Sequence, residues 1–67
     1  MHILIVLQVI HLTNKGILRI QNLDRFTGLR CIYLEGNAIE EIEGLEQLTE
    51  LRSIYLAKNA LKEISAG

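Results

Sequence analysis

Apolar residues follow one order along this chain, LxxIxL and then an apolar residue at every third position, and the order returns every 22 residues. Shifting the sequence by that period lays LRCIYLEGNAIEEIEGL (29–45) over LRSIYLAKNALKEISAG (51–67) with 9 identities in 17 positions. They are Leu29/Leu51, Arg30/Arg52, Ile32/Ile54, Tyr33/Tyr55, Leu34/Leu56, Asn37/Asn59, Ala38/Ala60, Glu41/Glu63 and Ile42/Ile64. One period upstream, LQVIHLTNKGILRIQNLDRFTG (7–28) keeps the apolar frame and little else. Its Leu7, Ile10, Leu12, Ile17, Ile20, Leu23 and Phe26 fall over Leu29, Ile32, Leu34, Ile39, Ile42, Leu45 and Leu48. A fixed period of this length marks stacked units, each too small to bury its own apolar face, rather than one compact core.

The elements follow from the spacing inside each unit. The IxL at the end of LxxIxL alternates apolar and polar, as a short strand with one buried face requires. This predicts strands near 9–12, 31–34 and 53–56, and identical strands one period apart can pair as a parallel sheet with the rest of each unit as the crossover. Between strands, Ile17, Ile20, Leu23, Phe26 and Ile39, Ile42, Leu45, Leu48 recur at every third position. That suits an extended arc with a short 3₁₀ turn better than a regular α-helix, and Asn22 and Gly44 interrupt any longer helix. Asn37 and Asn59 stand three residues after the last strand Leu, where the chain turns and leaves backbone groups unpaired. An amide carries both donor and acceptor, so the pair is expected to form a structural asparagine ladder across the units. The first unit has Lys15 at that position and Asn14 one place early, so its rung is expected to be broken.

The shared pattern LxxIxLxxNxIxxIxxLxxL resembles the leucine-rich repeat in its 22-residue form. That resemblance implies an α/β solenoid: a curved right-handed coil with short parallel strands on the concave face and 3₁₀ or extended turns on the convex face. The expected organisation is a ragged lead (1–6), a degenerate first repeat (7–28), a second repeat (29–50) and a third cut short (51–67). With Ile32, Leu34, Ile54 and Leu56 inward, their strand neighbours line the concave face in rows. One row is His11, Tyr33, Tyr55, another is Val9, Cys31, Ser53, and Gln8, Arg30, Arg52 and Thr13, Glu35, Ala57 lie beside them. Both tyrosines of the chain occupy one repeat position. Tyr and Arg supply large contact area with a polar handle. His11, Arg30, Tyr33, Glu35, Arg52 and Tyr55 are therefore the expected partner-binding residues. The competing explanation is that the tyrosines only cover their own strands, as β-favoured residues do.

Composition narrows what the face can bind. At 67 residues and 49% apolar, with one cysteine and no proline or tryptophan, the chain has neither a disulfide nor a zinc-ligand pattern to staple it. Net charge is −1, which provides no field for a phosphate backbone or an anionic bilayer, so neither nucleic acid nor membrane is an expected partner. The apolar start MHILIVLQVI is far short of the roughly 20 residues a membrane span needs, and it lacks the basic lead and cleavage pattern of a signal peptide. Charge is uneven: residues 7–28 carry net +2, 29–50 net −5 and 51–67 net +2. Most of the excess Glu falls on the convex turn of the second repeat. It fits a solvated face that resists aggregation more readily than a dock for a basic partner. Catalysis finds no footing. Cys31 and His11 would sit on adjacent strands without a third orienting group, and the side chains of Glu40 and Glu41 diverge. No phosphate, dinucleotide or metal motif is present, so no enzyme activity, small-molecule substrate, cofactor or metal is expected.

A narrower likeness lies in TGLRC (27–31), YLEGN (33–37), IEGLEQLTELR (42–52) and KGI (15–17). These segments resemble the opening repeats of the leucine-rich-repeat axonemal dynein assembly factors, over about residues 9–64. The resemblance implies a protein of the cytoplasm and the cilium or flagellum that helps preassemble dynein arms through contacts with dynein chains and chaperones. Phosphatase-regulatory, outer-arm dynein light chain and spliceosomal A-prime proteins share the consensus, and a phosphatase-targeting subunit is the alternative from another class. The family carries about six repeats, so the chain is expected to be part of a longer scaffold, and the start MHILIVLQV departs from the family's lead-in.

Overall fold

The structure is a computed structural model and describes residues 7–62. Three short strands form in the order β1 (Val9–His11), β2 (Cys31–Tyr33) and β3 (Ser53–Tyr55), and they pair in parallel as a single sheet with β2 in the middle. The register is the sequence period itself: Val9 faces Cys31 and Cys31 faces Ser53, Ile10 faces Ile32 and Ile32 faces Ile54, His11 faces Tyr33 and Tyr33 faces Tyr55. Because one face is buried, a slip of a single residue would turn every inward Ile outward, which holds the register firmly. Hydrogen bonds between units continue past the strands, from Leu12 N–H to the Tyr33 carbonyl, Asn14 to Glu35, Leu34 to Tyr55 and Gly36 to Ala57.

No helix forms among the described residues. The arcs run as successive turns, with the Phe26 N–H donating to Leu23 and Leu29 to Phe26, repeated by Leu48 to Leu45 and Leu51 to Leu48. These are the i→i+3 bonds that spacing by threes favours, and each stops after a turn. Asn22 (φ 64°) and Gly44 (φ 72°) hold the same left-handed place in the two arcs. Gly44 also lets the second arc come close to the first, since a Cβ there would lie 2.9 Å from the Ile20 carbonyl oxygen.

The core is the inward row of the second unit, Leu29, Ile32, Leu34 and Ile39, joined by Ile20 and Leu23 from the first arc and Leu48 from the second. Leu7, Ile10, Leu12 and Ile17 on one side and Leu51, Ile54 and Leu56 on the other pack against it while half-buried. One inward expectation differs. Ile42 is 43% exposed although its counterpart Ile20 is 3% exposed. Ile20 is covered by the approach of Gly44 in the next arc, and the corresponding residue for Ile42 is Ala66, outside the described residues. The expected lead at 1–6 and the Glu63 and Ile64 matches also lie outside them.

Candidate functional site

The strands hold His11, Tyr33 and Tyr55 one above another on the outward face. The His11 and Tyr33 rings stack with centroids 4.5 Å apart and planes 4° from parallel, and Tyr33 and Tyr55 stack at 4.7 Å and 3°. Those intervals match the separation of paired strands, about 4.8 Å, so the backbone ladder sets the ring spacing. Tyr55 is the more open tyrosine at 45% exposed, and its outer face has no further described ring on it. Cys31, two residues before Tyr33 on the same strand, is a half-buried free thiol. Hydrogen bonding and charge from Cys31, with burial, Tyr55 and Glu35 adding to them, push the Tyr33 phenol above its ordinary value.

Arg30 and Arg52 immediately precede β2 and β3, and both are exposed. The N–H groups of Arg30 and Cys31 both donate to the Gln8 carbonyl, at 2.8 and 3.1 Å, and those of Arg52 and Ser53 both donate to the Arg30 carbonyl, at 2.9 and 3.0 Å. One carbonyl thus accepts from two successive N–H groups ahead of each strand, while the one-to-one register is kept. Leu29 and Ile32 are both buried, Arg30 is exposed and Cys31 half-buried between them. Glu35 lies on the far side of the ring row, half-buried. It does not pair with either arginine: the ion pairs among the described residues are Arg19–Glu43 at 3.2 Å and Lys62–Glu40 at 3.8 Å, both on the arcs. The hydrogen bond Arg19 donates to Glu43, then the charge of Glu43, raises the Arg19 pKa above the ordinary value.

Asn37 ties the strand ends together beneath this surface. Its Oδ1 accepts from the N–H groups of Lys15 (2.9 Å) and Ile17 (3.0 Å), and its Nδ2 donates to the carbonyls of Leu12 (2.9 Å) and Leu34 (2.7 Å). Asn59 accepts from Ile39 N–H (3.0 Å) and donates to Leu34 and Leu56 (2.9 Å each), one period on. Among the described residues no buried side-chain polar atom lacks a partner. Asn14 (φ 56°) shares its left-handed conformation with Gly36 and Lys58 one and two periods on, whereas in the first unit, with Lys15 in place of Asn, Gly16 (φ 68°) is left-handed without a counterpart.

Sequence reasoning missed two features. One is the carbonyl shared by two N–H groups ahead of each strand, which falls at the doubled x of LxxIxL. The other is Leu18, 68% exposed, beside a groove of about 500 Å³ floored by Leu12, Ile17, Ile20, Leu23 and Leu34 at the outer edge of the first unit. Its repeat partners are Glu40 and Lys62, so the period singles it out as an apolar residue at a charged position. No group of three or more metal-ligating side chains occurs among the described residues, and no helix there is long and apolar enough to cross a membrane.

Residues 27–66 match a family described as Leucine Rich repeats (2 copies). Comparison with curated proteins gives no match, and comparison with solved structures gives none.

Proposed function

The chain belongs to the leucine-rich repeat family, and from that premise we propose that it binds another protein through the face built on His11, Tyr33 and Tyr55, with Arg30, Arg52 and Glu35 around them. The observation that carries this reading is the three-ring stack. Three strands hold planar, amphipathic side chains at fixed intervals on an outward face, so a partner meets a surface already ordered, and little entropy is lost on contact. Cores need no such row: the inward Ile and Leu residues seal the sheet from the other side.

The finer reading follows the likeness of TGLRC, YLEGN and IEGLEQLTELR to the axonemal dynein assembly factors. On that reading the protein works in the cytoplasm, and toward the cilium or flagellum, by holding dynein chains and chaperones during preassembly of dynein arms. Affinity purification of the tagged chain from ciliated cells tests it, with identification of what co-purifies. Dynein chains and chaperones should be recovered, and Tyr55→Ala should lose them. Recovery of a phosphatase catalytic subunit without dynein or chaperone chains would establish the targeting-subunit alternative and remove this one.

A further inference from the structure

The same shared carbonyl recurs in successive units. In each, the exposed residue just before the strand is an arginine. Arg30 and Arg52 are joined directly through the backbone, the N–H of Arg52 to the carbonyl of Arg30 at 2.9 Å, so their side chains leave from adjacent strands. Neither makes an ion pair among the described residues, although Glu50 is only two residues from Arg52. Neighbouring like charges are unfavourable unless something anionic is placed between them. Gln8, at the same repeat position, extends the row with a neutral amide.

The wider charge pattern gives direction. Glu40, Glu41, Glu43 and Glu46 lie on the arc of the second unit, while Arg30 and Arg52 mark one border of the ring row and Glu35 the other. An acidic chain is repelled from the arc and from the Glu35 side and drawn to the arginine side, which steers encounter and fixes orientation. We infer that Arg30 and Arg52 form a carboxylate clamp, and that the segment bound on this face is an extended acidic peptide bearing an aromatic or large apolar side chain. The inference rests on the strand face being the binding surface and specifies the chemistry of its partner. Guanidinium groups suit this role because each offers a planar fork of donors to a carboxylate.

Fluorescence anisotropy with the full chain and labelled twelve-residue peptides tests the clamp. The peptides share one pattern of Tyr and Leu and carry Glu, Gln or Lys between them, and a labelled oligothymidylate serves as a fourth probe. The Glu peptide should bind at least about tenfold more tightly than the Gln peptide, the size expected for charge-assisted hydrogen bonds, and more weakly as salt is raised. Arg30→Gln/Arg52→Gln should bring the Glu peptide to the level of the Gln peptide. Lys15→Gln/Arg25→Gln, which removes equal charge elsewhere, should leave the preference in place. Circular dichroism of both double variants confirms that they fold alike. Equal binding of the Glu and Gln peptides, both lost in Tyr55→Ala, overturns the clamp and leaves the ring face standing. Failure of every peptide to bind overturns the clamp and counts against the ring face, and tightest binding of the Lys peptide or the oligothymidylate overturns the clamp by sign or by class of ligand.

Discussion

The middle unit and its neighbours carry the same apolar pattern and bury it to different degrees. Leu29, Ile32, Leu34 and Ile39 are fully enclosed, whereas Leu7, Ile10, Leu12 and Ile17 before them and Leu51, Ile54 and Leu56 after them are half-buried. Residue identity cannot explain this, because Ile32 and Ile54 or Leu34 and Leu56 are the same side chain in the same register. What differs is the number of neighbours among the described residues: the middle unit has one on each side. Burial is made between units, and the stability of such an array is approximately a sum over its interfaces. The polar layer repeats the lesson, since Asn37 is buried at 8% exposure while Asn59, whose Oδ1 accepts from one N–H group rather than two, is half-buried.

Paired substitutions sharpen that contrast. Ile32→Ala should cost about 4 kcal/mol and Ile54→Ala about half as much, read as urea midpoints, because the cavity left in the middle unit has two walls that cannot relax. Equal costs would break the interface account. Asn37→Ala should come next at about 3 kcal/mol, since it strands the Lys15 and Ile17 N–H groups and the Leu12 and Leu34 carbonyls in the same step. Asn59→Ala should cost about 1–2 kcal/mol, and hydrogen exchange at Ile39 should rise because its N–H loses the Asn59 acceptor. Gly44→Ala should cost about 2 kcal/mol, combining a left-handed backbone with contact against the Ile20 carbonyl. Gly36→Ala should be milder at about 1 kcal/mol: it meets the movable Asn14 side chain, and Lys58 already occupies the matching position with φ 59°. Smallest is the arc pair. A double-mutant cycle on Arg19 and Glu43 should give a coupling under about 1 kcal/mol that vanishes at high salt.

Much of this architecture could be read from the chain before any coordinates. The strand register is the sequence period, because Ile32, Tyr33 and Leu34 recur unchanged one period later and any other pairing would put an Ile in water. The ring row was legible for the same reason, as both tyrosines share one position. Other features depend on neighbours and were not. Ile20 and Ile42 are equivalent in pattern, but only one is covered by the unit that follows among the described residues. The sharing of one carbonyl by two N–H groups ahead of β2 and β3 is a matter of backbone geometry that a residue-by-residue alternation does not contain. The broken rung at Lys15 was visible in the sequence, but not that Asn14 and Gly16 would both take left-handed conformations there.

On the proposed reading, an inward face holds the fold and the outward ring row binds. Tyr55→Ala tests this division most directly, with the urea midpoint and the affinity for a protein partner or the acidic peptide measured on the same sample. Loss of one edge stack should cost about 1 kcal/mol of stability with cooperative unfolding retained. Binding should weaken by about 30-fold or more, as a hot-spot tyrosine requires. A variant that unfolds, or one that binds as tightly as the unaltered chain, would contradict it.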